Sequence, residues 1–251
     1  MLGACLGDGT GTVISKLPVL DWTRGRAAAL AGVRASIEAS LANLRRPRID
    51  GYLFHSFADI DRDGQAALAE LERVRAEGLL GSLGASVYTP EEADACLAID
   101  GLELVQVPYN IADRRLLASG FLERSRKAGR IVIARSVFLK GLLVAGALPP
   151  QLGEAEPFRT RVRRLAKEAG MSVVELCLRH VLGVEGIDSV LVGVETLGQL
   201  SENLAMAARG PLPRELRAEV DRLPPLPAWI LHPFNWQSLS REATHKKEEP
   251  C

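Results

Sequence analysis

"TVISKL", residues 12–17, is a short β-branched run that ends on an ammonium group. Alone it reads as a strand with a solvated end, because lysine is mostly exposed in folded proteins. The rest of the chain changes that reading. Runs of the same kind recur at DGYLFH (50–55), GSLGASV (81–87), LELVQV (102–107), RIVIARSV (130–137) and DSVLVGV (188–194). Between them lie amphipathic stretches. Leu30, Val33, Ile37, Leu41 and Leu44 recur at steps of three and four, and Leu68, Leu71 and Val74 do the same.

Helix starts and stops are marked by local chemistry. TPEE (89–92) offers a Thr cap, Pro at the first helical position and Glu three residues after the cap. SVVE (172–175) and TLGQ (196–199) repeat the capping-box spacing. Gly129 and Gly170 stand where helices are expected to stop.

Six β/α units in series, with continuous apolar strands, predict a parallel sheet covered by helices. A doubly wound dinucleotide fold would carry GxGxxG after its first strand, and this chain does not. Polar residues fall instead at the C-terminal strand ends: Lys16, His55, Ser86, Asn110, Ser136 and Glu195. That is the rim where β/α barrels place their chemistry. The expected fold is α/β, a TIM-type (β/α) barrel with six of the eight units. A single domain is expected over 1–236. Its Pro-rich end (211–236) reads as a helix followed by an irregular wrap, with Trp229, Phe234 and Trp236 packed back on the body. The charged stretch 237–251 is expected to be a disordered tail.

Composition narrows the function classes. The chain has 251 residues, 47% hydrophobic and 25% charged, with 31 basic residues against 31 acidic ones. Nothing in this balance suggests nucleic acid or an anionic membrane as partner. No apolar run approaches the ~18 residues of a membrane span, and the glycine-rich start lacks the basic region of a signal peptide. Cys5, Cys96, Cys177 and Cys251 form no CxxC pair, which fits a reduced, cytoplasmic protein. They share no ligand spacing with His55, His180, His232 or His245, so no metal site is expected.

Lys16 and His55 end successive strands, and neighbouring parallel strands lie about 4.8 Å apart. Both can therefore face one barrel mouth. His180 falls on a predicted helix and reads as a half-buried structural side chain. Trp22 reads either as a pocket wall or as a loop cap, and Asn110 as a local turn former.

The ordered motifs ISK, IDGYLFH, LGAS, VQVPYN, IARSVFLKGLL and VLVGVETLGQLSENL resemble the aldo-keto reductases, in register from about residue 12 to 205. The resemblance implies hydride transfer from NADPH, with NADH also compatible, to the carbonyl of a small aldehyde or ketone. It matches Lys16 and His55 to the family's catalytic lysine and histidine. Hydride arriving at carbon leaves negative charge on oxygen, which a proton donor and fixed positive charge must meet. Ser86, Gln106, Arg135, Ser136, Gly193, Thr196, Gln199, Glu202 and Asn203 match cofactor-binding positions. Gly193 is expected to end the last strand, with Thr196 capping the helix whose N-terminus suits phosphate.

One departure stands out. The family's tyrosine and acidic residue precede its lysine, whereas the tyrosines here are Tyr52, Tyr88 and Tyr109, all downstream, and the only upstream acid is Asp8. Two β/α units, roughly 60 residues at about 30 per unit, are expected to be missing. That would leave two sheet edges bare. The alternative to a working reductase is thus a truncated, non-catalytic relative that at most binds nucleotide or a protein partner. A third reading, a barrel lyase with Lys16 as Schiff-base nucleophile, leaves the cofactor-type motifs unexplained.

Overall fold

The computed structural model describes residues 11–234 and 236. Asp8, Cys5, Cys251, His245 and the 237–251 tail lie outside the described residues. The secondary structure alternates as the sequence predicts. The strands are β1 (Ile14–Leu17), β2 (Ile49–Phe54), β3 (Leu80–Ser86), β4 (Leu102–Pro108), β5 (Ile131–Arg135) and β6 (Ser189–Val190). They form one sheet in chain order, β1-β2-β3-β4-β5-β6. The register is parallel from β1 to β4 and again between β5 and β6. The helices between them are α1 (Arg26–Leu44), α2 (Ala58–Ala76), α3 (Pro90–Leu97), α4 (Arg115–Ala118), α5 (Phe121–Lys127), α6 (Glu156–Glu168), α7 (Val173–Leu182), α8 (Leu197–Ala207) and α9 (Arg214–Asp221). Short 3₁₀ turns cover Trp22–Arg24 and Pro150–Ala155. This is the TIM-type β/α-barrel class, with six strands where a full barrel has eight.

The described residues fall into two compact units. The first holds everything up to Val107 together with Glu123–Val132; the second holds Pro108–Leu122 and everything from Ile133 onward. The core of the first unit forms because β2 is apolar on both faces. Tyr52, Leu53 and Phe54 are all buried, and Val33 and Ile37 of α1 and Leu71 and Val74 of α2 are buried too. Each such side chain contributes about 1.5–3 kcal/mol by leaving water. The helical stripes differ slightly from the sequence reading. Leu30, Leu41 and Leu68 are only half-buried, while Ala29 and Ala67 take fully buried places. Small side chains let helix and sheet approach closely at those positions.

Gly84 holds a register irregularity between β3 and β4. A Cβ there would collide with the carbonyl oxygen of Leu104, so only glycine lets the two backbones meet. The helix signals are confirmed. Thr89 and Glu92 form a reciprocal capping box on α3, and Ser172 and Thr196 cap α7 and α8. Gly129 and Gly170, both at φ 66°, lie just beyond the ends of α5 and α6.

Several expectations are corrected. The last strand is Ser189–Val190, not 188–194, and Gly193 lies three residues beyond its end. Among the described residues β6 is an edge strand paired with β5, and the Leu191 N–H extends the pairing, donating to Ala134 O. Leu191 and Val194 are exposed. At the opposite edge Ile14, expected inside, is 37% exposed. Phe234 does not pack into the body: it is 57% exposed and tilts against His232. Leu223, Leu226, Ile230 and Leu231 bury the wrap instead. His180 is fully buried rather than half-buried, because α9 and the chain before α4 cover it.

Candidate active site

In the first unit, the face of the sheet bearing Ile14, Gly51 and Leu104 gathers polar groups one layer further along. A Cβ on Gly51 would lie 2.9 Å from Leu104 Cδ1 and 3.0 Å from Ile14 Cγ1. The side chains of β1 and β4 therefore meet over β2, where glycine leaves room. Two residues on, Lys16 Nζ donates to Gln106 Oε1 at 2.6 Å, again from β1 to β4. Side chains stand roughly perpendicular to a sheet, so a bond across two intervening strands requires this unit's sheet to curl toward that face.

Ser86, the last residue of β3, is in register with Gln106 on β4. Its Oγ donates to the same Oε1 at 3.2 Å. Ser86 and Gln106 are each 2% exposed, while Lys16 is half-buried. The apolar stem of the lysine crosses the sheet and its charge rests among hydrogen-bonding oxygen. Lys16 is in register with Leu53, and His55 follows β2 at a bend, continuing the alternation Gly51, Leu53, His55. The imidazole is exposed.

The loop after β1 is held by a residue whose role the sequence did not reveal. Asp59, 3% exposed in the first turn of α2, accepts from Trp22 Nε1 at 3.0 Å and from Leu20 N at 3.4 Å. Trp22 is therefore a loop cap. An acid in a first helical turn is ordinary N-terminal chemistry, and nothing local indicates a partner 37 residues upstream.

In the second unit, Arg135 ends β5 and donates from Nη1 to Ser136 Oγ at 3.1 Å. Ser136, Leu139 and Lys140 hold left-handed backbone, with φ of 62°, 46° and 52°. Such conformations cost of order 1–3 kcal/mol each and cluster at functional loops. Asn110 is the turn former the sequence predicts. Its Oδ1 accepts from Ala112 N and Asp113 N, and its Nδ2 holds Ser136 O at 3.0 Å. At α8, Thr196 Oγ1 accepts from Gln199 N at 3.2 Å, and Gln199 Oε1 accepts from Glu195 N at 2.7 Å. Gly193, Thr196, Gln199 and Glu202 are exposed. Asn203 is half-buried and lines an apolar groove with Leu178, Val190 and Leu204.

The structure thus joins Lys16, Ser86 and Gln106 directly, places His55 at the end of the neighbouring strand, and couples Arg135 to Ser136. The sequence pattern of the aldo/keto reductase family matches residues 12–224. The chain belongs to the aldo/keto reductase family. It is 27% identical over 213 residues to a D-threo-aldose 1-dehydrogenase from a Pseudomonas species, covering 78% of this chain and 63% of that protein. It is also 27% identical over 191 residues to the L-galactose dehydrogenase of Arabidopsis thaliana, covering 69% of this chain and 57% of that one. The chain therefore spans about 60% of the length of these curated relatives.

Among solved structures, the fold is similar to an aldo-keto reductase from Bacillus halodurans in its holo form. The TM-score is 0.73 at 21% identity, over 88% of this chain and 76% of that one. A glycerol dehydrogenase from Gluconobacter oxydans gives a TM-score of 0.71 at 23% identity, over 90% and 77%. Among the described residues of this family member, no helix is long and apolar enough to cross a membrane.

Proposed function

We propose that this aldo/keto reductase family member binds a nicotinamide dinucleotide, NADPH in preference, and reduces a small aldehyde or ketone by hydride transfer in the cytoplasm. The observation that carries the reading is the joined set Lys16–Gln106–Ser86, a cation and two buried hydrogen-bonding side chains on one face of a curled parallel sheet. The donor set fits a carboxamide-bearing nucleotide: Ser86 and Gln106 are buried, uncharged and already fixed in direction. When bound, the nucleotide supplies the hydride.

The chain's own residues do the rest. Lys16 holds positive charge where negative charge develops on the carbonyl oxygen. His55 or Lys16 delivers the proton. Arg135 and Ser136 serve the nicotinamide or pyrophosphate, and the N-terminus of α8, from Gly193 through Thr196 to Gln199, serves a phosphate, with Glu202 and Asn203 toward the adenosine.

A second reading, nucleotide binding without turnover, is favoured by two of the three tyrosines. Tyr52 OH lies 3.3 Å from Ser36 Oγ on α1, and Tyr109 is fully buried with its phenol pushed upward by burial. Neither is placed to donate a proton to a carbonyl. The test is NADPH binding, followed by fluorescence quenching, together with NADPH oxidation over a panel of aldehydes and ketones. Binding with turnover supports the first reading. Binding without turnover supports the second, and no binding of NADPH or NADH removes both.

A further inference from the structure

In the second unit, α8 presents an apolar face to solvent. Each of its residues, Leu197–Ala207, is exposed or half-buried. Leu197 is 82% exposed and Leu204 62%. Leu197, Ser201, Leu204 and the cap residue Ala208 follow one another at steps of four, three and four, so they form one stripe along the helix. That is the spacing of a helix–helix seam, here with large and small side chains alternating. Beside the stripe, Leu200 and Leu204 wall an apolar groove of about 400 Å³ with Leu178 and Val190. A contiguous apolar patch of this kind marks an interaction surface.

Charge decides what fits it. The one charged residue of α8 is Glu202, about 140–160° around the helix from Leu197 and Leu204 and so off the stripe. Charge stands at the two ends instead: Glu195 precedes the helix and Arg209 follows it. Arg209 Nη1 donates to Glu175 Oε2 at 2.7 Å, yet the arginine side chain stays 60% exposed. A second α8 laid antiparallel sets Leu197 against the partner's Ala208 and Leu204 against the partner's Ser201, and the reverse. Large then meets small along the whole seam. The same register brings Arg209 to the N-terminal end of the opposite helix, beside the partner's Glu195. Parallel packing would set leucine on leucine and Glu195 on the partner's Glu195, with both helix dipoles pointing the same way.

We propose that the α8 face is the two-fold interface of a homodimer, with each α8 packed antiparallel on its copy. Such a contact uses the same patch on both chains and closes on itself. The proposal is independent of the nucleotide reading, because Gln199 and Glu202 lie on the other side of the helix from the stripe.

Sedimentation equilibrium on the full chain, from micromolar to hundreds of micromolar, tests it. Wild type is expected to reach twice the monomer mass. Leu204→Arg puts a charge into the seam from both copies and is expected to weaken dimerisation by about a hundredfold. Leu204 and Leu197 are mostly exposed, so the monomer keeps its fold, and Leu197→Arg repeats the test. Glu195→Arg faces the partner's Arg209 and is expected to weaken the dimer by about fivefold. Adding Arg209→Glu reverses both charges and is expected to restore it. Near-UV circular dichroism checks each fold; if Arg209→Glu fails beside Glu175, Arg209→Gln replaces it and is expected to relieve the repulsion in part.

A chain that stays monomeric, or that grows past the dimer, overturns the proposal and gives the face to another occupant. So does a dimer indifferent to both leucine substitutions. A Glu195→Arg dimer as tight as wild type, or one that the second substitution does not tighten, overturns the antiparallel register.

Discussion

Two buried polar clusters in this chain have opposite character. On the sheet face of the first unit, Lys16 and Ser86 both donate to the amide oxygen of Gln106. In the second unit, His180 of α7 is 1% exposed, and neither ring nitrogen has a hydrogen-bond partner. The Asp221 carboxylate of α9 lies 3.8 Å from Nε2. Tyr109, its centroid 6.3 Å from the His180 ring, also has a buried hydroxyl without a partner. Buried polar groups are usually satisfied. The first cluster joins its members through one shared oxygen. The second breaks it, with three ring and hydroxyl atoms left without a partner. Burial of a polar side chain therefore does not by itself mark a site; what it is bonded to must be read as well.

The largest expected effect tests the first cluster. Lys16→Met keeps the apolar stem and removes the charge. If turnover is found, kcat/KM is expected to fall by roughly 10²–10⁴-fold, the range for a positioned acid or charge-stabilising group. Steady-state kinetics on the best carbonyl substrate measures this. A drop of less than tenfold would place the electrostatic work elsewhere and erase the contrast between the clusters.

The second cluster predicts a stability effect instead. Burial pushes the His180 imidazole down to about 4 from 6.5, opposed by the Asp221 carboxylate and assisted by Arg217 and Arg114. Arg114 is anchored to the carbonyls of Val220 and Leu223, and Arg217 to that of Gly183, so these charges cannot swing away. The native state keeps the ring neutral while the unfolded state takes up a proton below 6.5. This contribution is full above pH 6.5 and is lost as pH falls toward 4, by roughly 3 kcal/mol. Urea midpoints for wild type and His180→Leu between pH 7.5 and 4.5 give the measurement. The wild type should lose more stability over that range than the variant. Parallel profiles would mean that the imidazole is not a source of acid lability.

The strand and helix order was legible because parallel strands buried on both faces write continuous apolar runs and capping residues are local. Lys16, Ser86 and Gln106 were legible as members of an ordered motif set, each at or near a strand's C-terminal end. Their bonding was not, because it depends on curl of the sheet, and curl is set by non-local contacts such as Ile14 and Leu104 meeting over Gly51. Asp59 and the full burial of His180 were hidden for the same reason. Each depends on a chain segment distant in sequence. The last strand was over-read because Val190, Leu191, Val192 and Val194 are strand-type apolar residues, and propensity does not reveal that β5 is its one neighbour in the sheet.

The smallest effect concerns Ser86, and it separates a hydrogen bond that holds the cluster from one that merely fills it. The Ser86–Gln106 contact is the longer of the two on Oε1, and the ammonium makes the stronger, charge-assisted bond. Ser86→Ala removes the weaker donor from an oxygen that stays engaged, so no acceptor is left bare. The stability cost is expected to be about 1 kcal/mol. NADP⁺ affinity should fall only a few-fold, against about tenfold for Gln106→Met, which removes the amide altogether. Calorimetry on the two variants side by side gives the ratio. A Ser86→Ala loss equal to that of Gln106→Met would mean that serine, not lysine, fixes the direction of the amide, and the two donors would exchange roles.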